Sequence, residues 1–384
     1  MKKVRFGIVG VGNMGSAHLQ YLANNEISGA EVSAICDINA QRLKMAGERY
    51  PSVKLYSEIN AMLDSGEVDA VLIATPHYDH PPLAVKALEK GIHTLIEKPA
   101  GVYTKQVEQM NRAAEKSGLV FGIMYNQRTN PVYQKLRDLV LSGELGELKR
   151  TNWIIDWYRP QSYYDSGGWR ATWAGEGGGV LLNQDPHQLD LWQWTCGMPV
   201  RVRAFCNFGK YHNIEVEDEV TAYVEYENGA TGVFVTSTGI TPETNRLEVV
   251  GDKGKVVIED NCIVFYRLRV PERQFNREYK GGFGSPEYWK CEIPVAPGPG
   301  GQHKEITQNF TNAILKGEKL LAPGVEGING LQISNAMHLS AWINDWIEIP
   351  VNADLYYEEL KKRIDNSSFK KETKDVILDV SGTH

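Results

Sequence analysis

An apolar run from Val4 to Val9 passes directly into Gly10-Val11-Gly12-Asn13-Met14-Gly15, and a helical pattern continues from there to about Asn24. Few sequence features constrain a fold more. The first glycine of G-x-G-x-x-G permits a tight turn, the second lets a pyrophosphate approach the backbone, and the third lets the helix pack on its strand. The spacing alone is common, but its place between a strand and a helix is the context that gives it meaning. A second strand over 31–36 ends at Asp37. A carboxylate there can accept both hydroxyls of an adenosine ribose and repel a 2′-phosphate. That favours NAD over NADP, with Arg42 nearby leaving NADP open. The competing role for Asp37 is to cap the next helix.

The alternation continues. Strands are expected at 54–56, 69–74, 94–97 and 120–124, separated by helices near 39–49, 58–65, 80–90 and 104–117. Repeated βα units predict a doubly wound parallel sheet, the α/β Rossmann arrangement, whose ligands bind beyond the carboxyl ends of the strands. Those ends carry Gly10, Gly12, Asn13, Met14 and Gly15, then Asp37, Thr75-Pro76-His77 and Glu97-Lys98-Pro99.

The second half reads differently. Residues 220–226 and 231–238 alternate about Asn228-Gly229, a strong hairpin signal. Further strands are expected at 148–156, 200–207, 246–250, 255–259 and 262–267, with helices at 304–316, 325–344 and 354–364. The Pro- and Gly-rich stretch 271–302 reads as an excursion or lid. Between these lies Gly177-Gly178-Gly179, followed by Asn183, Asp185, His187 and Asp190. In one helix, Asn183, His187 and Asp190 would share a face beside a glycine-lined gap. Aromatic and charged residues crowd just before it, in Asp156-Trp157-Tyr158-Arg159-Pro160-Gln161-Ser162-Tyr163-Tyr164 and Gly167-Gly168-Trp169-Arg170. Such a mixture suits a sugar, whose ring has apolar faces and a polar edge.

Composition excludes several partners. The net charge of −7, with no run of Lys and Arg, argues against nucleic acid. No apolar stretch approaches a membrane span. Met1-Lys2-Lys3 could open a signal peptide, but the short apolar run after it contains Arg5 and reads as the first strand. Five scattered cysteines without a C-x-x-C suggest reduced thiols and a cytoplasmic protein.

The Rossmann start, Glu97-Lys98-Pro99 after the fifth strand and the later Gly-Gly-Gly…His187-x-x-Asp190 resemble the Gfo/Idh/MocA oxidoreductases. So do Met124-Tyr125-Asn126-Gln127-Arg128 and Ala322-Pro323-Gly324. The resemblance implies an NAD(P) domain, here 1–125, and an α+β domain, 126–384. The second would hold a large open, mostly antiparallel sheet and serve substrate binding and oligomerisation, with the C-terminal helices free to pack back on the first. Redox chemistry at a carbinol carbon of a sugar, polyol or sugar derivative is implied, as is a homo-oligomer, dimer or tetramer. The expected NAD contacts are the glycine-turn residues Gly10, Gly12, Asn13, Met14 and Gly15, then Asp37, Thr75, Pro76, His77, Glu97, Lys98, Asn126, Trp169 and Arg170. Asn183-Gln184-x-Pro186-His187 with Tyr158-Arg159-Pro160-Gln161-x-Tyr163-Tyr164 resembles a branch that oxidises pyranosides, with C3 as the expected carbon.

Oxidising a secondary alcohol requires a base at its hydroxyl while hydride leaves the carbon. The candidates are Lys98, whose pKa desolvation can lower, and His187, which titrates near neutrality unaided. The substrate set is Lys98, Tyr125, Asp156, Tyr158, Arg159, Tyr163, Asn183, Asp185 and His187. Many relatives carry Asp at the place of Asn183, and a neutral amide can hold a hydroxyl but not take its proton. Asp185-Pro186-His187-Gln188 reads as a helix cap, the favoured role for Asp185; a helix beginning at Asn183 would instead put Asp185 in its first turn, facing the cleft. His77 and His80 lack a recognised ligand pattern, and no metal is expected. The leading function is an NAD-dependent sugar or glycoside dehydrogenase. The alternatives are a glycosidase or lyase working through transient oxidation, and a non-catalytic NAD or sugar sensor.

Overall fold

The computed structural model describes residues 3–367; Met1, Lys2 and 368–384, including the start considered for a signal peptide and the ends of both expected domains, lie outside the described residues. The first sheet contains β1 (Val4–Val9), β2 (Ala30–Cys36), β3 (Lys54–Tyr56), β4 (Ala70–Ile73), β5 (His93–Ile96) and β6 (Phe121–Ile123). All pair in parallel, in the order β3-β2-β1-β4-β5-β6. Phe6 and Ile8, and Val71, Leu72 and Ile73, are fully buried, as a strand covered on both faces requires. The cover comes from α1 (Asn13–Ala23), α2 (Ala40–Arg49), α3 (Ile59–Leu63), α4 (His80–Glu89) and α5 (Thr104–Ser117). Strand order reverses at the β1–β4 pair, and ligands of such sheets bind in the crevice outside those strand ends.

A tight turn, Asn126–Thr129, and α6 (Pro131–Leu141) lead into the second sheet. Its strands are β7 (Leu148–Asp156), β8 (Arg201–Phe208), β9 (Glu217–Glu225), β10 (Thr231–Ser237), β11 (Asn245–Gly251), β12 (Gly254–Glu259), β13 (Cys262–Leu268), β14 (Tyr288–Glu292) and β15 (Ile347–Glu348). The order is β14-β13-β12-β11-β7-β10-β9-β8-β15, antiparallel except where β10 runs parallel to β7. The remaining helices are α7 (Gln161–Tyr164), α8 (Val180–Asn183), α9 (Pro186–Cys196), α10 (Glu272–Glu278), α11 (Gln302–Lys316), α12 (Gly327–Ile343) and α13 (Ala353–Asp365).

Period-two alternation decides which face of this sheet is covered. In β7, Thr151, Trp153 and Ile155 are buried whereas Ile154 is exposed. Trp192 of α9 stacks on Phe234 of β10 at 5.5 Å, and its Nε1 donates to Thr151 Oγ1 at 3.0 Å. α12 is buried on nearly every side, so no amphipathic pattern marks it. Phe310 of α11 meets Phe6 of β1 at 6.1 Å, joining the chain's far end to the parallel sheet. The stretch 271–302 is an excursion from the sheet whose end, Gln302, bonds to Asn126. It forms α10 and then β14, which pairs with β13 at the sheet edge. No described helix is long and apolar enough to cross a membrane.

Candidate active site

α1 starts directly on the glycine turn, and no side chain caps it. A Cβ on Gly15 would lie 1.8 Å from the Gly10 carbonyl, so no other residue fits there. Gly12 has open space, with Arg42 Nη1 at 3.9 Å the nearest atom to a built Cβ. Uncapped N–H groups beside open space are the donor set a pyrophosphate needs. Asp37 Oδ2 accepts from the Val11 N–H at 2.8 Å, and Oδ1 from the Asn39 N–H at 2.8 Å. A carboxylate has about four lone-pair sites, so acceptor capacity remains. Helix capping falls instead to Asn39, whose side chain accepts from the amides of Gln41 and Arg42. These residues fit a dinucleotide.

Lys98 leaves the end of β5 and crosses to the second half of the chain, where Nζ donates to the Asn183 carbonyl at 2.7 Å. Burial pushes its pKa down; Glu97 and Glu176 oppose this, and Arg170 and Arg159 add to it. His187, in the first turn of α9, has a buried Nδ1 with no hydrogen-bond partner. Burial, then the charges of Lys98 and His303, hold it well below the usual histidine range. The ring is therefore a neutral imidazole with an unused nitrogen.

The glycine stretch differs from its expected role. A Cβ on Gly179 would sit 2.0 Å from the Glu217 carbonyl, and one on Gly177 would strike Val102 at 2.2 Å. These glycines serve the protein's own close packing rather than a gap for ligand. Nor do Asn183, His187 and Asp190 share one helical face, because α8 ends at Asn183 and α9 begins at Pro186. Asp190 makes a buried bidentate pair with Arg128, at 2.7 and 2.6 Å. Asp185 is no cap either: it makes no capping bond, and Oδ1 accepts from Trp157 Nε1 at 2.7 Å. Burial raises its carboxyl to about 8 against the Trp157 hydrogen bond.

Around Asn183 a polar cluster forms. The Tyr163 hydroxyl lies 2.9 Å from Arg170 Nη1, 3.0 Å from Asn183 Nδ2 and 3.3 Å from Gln184 Nε2. Buried Glu176 accepts from Asn183 Nδ2 and, at 2.5 Å, from the Ala171 N–H; Arg170 Nη1 is 3.8 Å from it. Arg170 also lies over the rings of Tyr163 and Trp169, 4.6 Å from each, and Arg159 is 5.6 Å from the Tyr163 ring. Trp169 meets His77 edge-on at 5.7 Å, and His77 Nδ1 faces the Glu176 carbonyl at 3.1 Å. His80 faces the carbonyls of Thr75 and Pro99, 2.8 Å each, fixing the two loops around Pro76 and Lys98. Asn126 donates to Gln302 and keeps Oδ1 buried without a partner.

Of four further expected contacts, three are bonded within the protein and one is exposed. The Tyr125 hydroxyl donates to the Gly327 carbonyl at 3.3 Å, and its ring packs edge-on against His187. Asp156 Oδ2 accepts from the Thr244 N–H, bracing the end of β7. Tyr158 is exposed. Glu97, buried at the rim, accepts from His18 and from the Lys98 N–H, so its carboxylate is not a free cofactor contact. Conversely, Glu176, His18 and His303 escaped the sequence reading. His18 follows the glycine turn by one helical step, and Glu176 is a carboxylate set between glycines; those were the available signals.

Residues 4–125 match the GFO/IDH/MocA model for an oxidoreductase family with an NAD-binding Rossmann fold, and 133–257 match the GFO/IDH/MocA C-terminal domain. The chain is 32% identical to the rhizopine catabolism protein MocA of Rhizobium meliloti over 51% of this chain and 58% of that protein. It is 39% identical to an inositol 2-dehydrogenase of Corynebacterium glutamicum over 38% of this chain and 44% of that protein. The chain thus aligns with about half the length of these relatives. The WlbA dehydrogenase of Chromobacterium violaceum, solved with NADH and UDP-GlcNAcA, superimposes with a TM-score of 0.78 at 29% identity, covering 92% of this chain and 97% of that one. Matched by two models of one family over most of its length, the chain belongs to the GFO/IDH/MocA oxidoreductases and carries their NAD-binding Rossmann domain.

Proposed function

We propose that the protein oxidises a secondary hydroxyl of a sugar or glycoside, with NAD bound by 1–125 and substrate by 126–384. The observation that carries this is the reach of Lys98 Nζ from the cofactor rim to the Asn183 carbonyl, beside the unpartnered Nδ1 of His187. NAD, when bound on the glycine turn and Asp37, supplies the hydride acceptor. Lys98, made less basic by burial, takes the hydroxyl proton, and neutral His187 hydrogen-bonds the same oxygen or relays that proton. Asn183 is clamped through Nδ2 by Tyr163 and Glu176, which leaves Oδ1 to accept from a neighbouring hydroxyl. Tyr163 and Trp169 offer apolar ring faces, and Arg159 and Arg170 offer fixed donors.

The solved complex of the WlbA dehydrogenase with NADH and UDP-GlcNAcA supports a nicotinamide cofactor and a ligand of that kind. The finer reading is pyranoside oxidation at C3. Oxidation followed by elimination needs a second base; Asp185, one candidate, is buried and holds the Trp157 indole N–H. A panel of sugars, polyols and glycosides with NAD, followed by NADH absorbance and product mass, tests the proposal. Net NADH with a product two mass units lighter is expected. Aglycone release without net NADH would favour elimination, and binding without turnover a sensor. Exposed Ile154 and Phe205 on the open sheet face support a homo-oligomer, measurable by sedimentation.

A further inference from the structure

We propose that His18 of α1 is a positioning residue for the amine of Lys98, acting by neutralising the carboxylate beside it. The inference rests on the reading of Lys98 as the base. The direction of a buried hydrogen-bond chain carries it. Thr307 Oγ1 donates to the His303 carbonyl at 2.8 Å, so its one proton is spent. The Tyr21 hydroxyl, 2.8 Å away, must therefore donate to Thr307, and burial raises its pKa so that it keeps its proton. Its oxygen then accepts from His18 Nδ1 at 2.5 Å. His18 Nε2 stands 2.6 Å from Glu97 Oε1, and Glu97 Oε2 accepts from the Lys98 N–H at 3.1 Å. Burial alone would raise the Glu97 carboxyl, but the hydrogen bond and charge of His18 outweigh it and hold it at about 2. Facing a carboxylate, Nε2 also donates. The ring is a cation locked between a tyrosine on its own helix and the anion that precedes the base.

Lys98 consequently sits beside an ion pair rather than a lone anion. The other groups facing it are Glu176, Arg170 and Arg159 from the 157–177 segment, His77 after β4, His187 on α9 and His303 on α11. Of these only His303 meets His18, ring to ring at 5.6 Å; losing the His18 charge lets the His303 pKa rise from about 4. Without His18, Glu97 would have Lys98 as its nearest cation and would hold the ammonium form, since an opposite charge within about 4–6 Å favours the charged state by about 1–3 pH units.

The test reads Lys98 directly. Acetic anhydride acylates the free amine, and the labelled Lys98 peptide is quantified by mass spectrometry across pH. His18→Gln is expected to move the half-labelling pH up by about one unit, a tenfold loss of free amine at fixed pH. Glu97→Gln is expected to move it down, and adding His18→Gln in that background should change nothing further, because His18 acts only through Glu97. An unmoved midpoint in His18→Gln, or an equal upward shift in the Glu97→Gln background, overturns the proposal. Tyr21→Phe removes only the acceptor of the Nδ1 proton; if His18→Gln does not fold, this variant should give a smaller upward shift, and no shift overturns. The pH profile of kcat/KM with a substrate found in the panel separates the two ideas. A moved labelling midpoint with an unmoved rate profile upholds the role of His18 and removes Lys98 as the base.

Discussion

Burial disfavours the charged form of both Lys98 and Asp185, lowering the pKa of the lysine and raising that of the carboxyl. For Lys98 this makes a usable base. Lys98→Ala should lower kcat by about 10²–10⁴-fold, the usual loss on removing a general base; NAD binding, followed by fluorescence, should persist. Loss of NAD binding alone would assign Lys98 to the cofactor. For Asp185 the consequence is a stability that depends on pH. Its folded-state pKa, about 8, lies above the ordinary 3.8, so the folded protein holds a proton that the unfolded chain releases. That contribution is fully present below about 4 and is lost as pH rises toward 8. Asp185→Asn keeps an acceptor for Trp157 and removes the titration. Its Tm relative to the parent should therefore climb between pH 5 and pH 8, by several degrees; a constant difference would show that Asp185 is ionised throughout. Lys98 and His187 were legible as residues because each stands in a recognisable motif. Glu176 and His18 were not, because what matters about them is a partner: Asn183 for one, and for the other Glu97, 79 residues away.

At the scale of elements, the break between α8 and α9 decides the site. Proline at the first position of α9 and the short α8 turn the chain between Asn183 and His187, sending Asp190 to Arg128 and Asp185 to Trp157. The anchor of α8 is Glu217 of β9, whose Oε1 accepts from the N–H groups of Gly179 and Leu181 at 2.8 and 3.1 Å. A helix start tied to a strand in this way holds the Asn183 carbonyl where Lys98 meets it. Gly179→Ala would force a methyl against the Glu217 backbone, which cannot retreat as a flexible side chain could. The expected outcome is a loss of about 1–3 kcal/mol in stability by urea unfolding, together with reduced turnover. Full turnover would mean that α8 can shift without moving Asn183. Period-two and period-3.6 patterns located most strands and helices, because each is a local statement about which face is covered. They missed β14 and β15, short edge strands whose partners lie elsewhere in the chain.

The whole molecule is held together across its two sheets by buried polar ties as well as by apolar packing. Arg128, in the turn after β6, pairs with Asp190 of α9 and reaches Glu326 at 2.6 Å before α12. Removing one partner of a buried pair leaves an uncompensated charge. Arg128→Ala is thus expected to cost about 3–5 kcal/mol in urea unfolding, whereas Arg128→Ala combined with Asp190→Ala should recover part of it. A single variant within about 0.5 kcal/mol of the parent would show that water replaces the guanidinium. Because this tie supports the helix that carries His187, its loss should also lower turnover.

The sequence by itself determined the parallel sheet, the cofactor turn and the identity of the crossing lysine. The first two are written in contiguous residues through steric rules, glycine at a close approach and apolar runs for strands covered on both faces; the lysine is marked by the resemblance that Glu97-Lys98-Pro99 carries at a strand end. Only the tertiary structure decided what each polar group is for. Asp185, Asp190, Glu97 and Glu176 are four carboxylates of similar appearance in the sequence. Folding pairs one with an arginine and one with a histidine, leaves one protonated against an indole, and sets one behind Asn183. Charge, burial and partner are properties of three-dimensional neighbours, and at this site most of those neighbours come from distant parts of the chain.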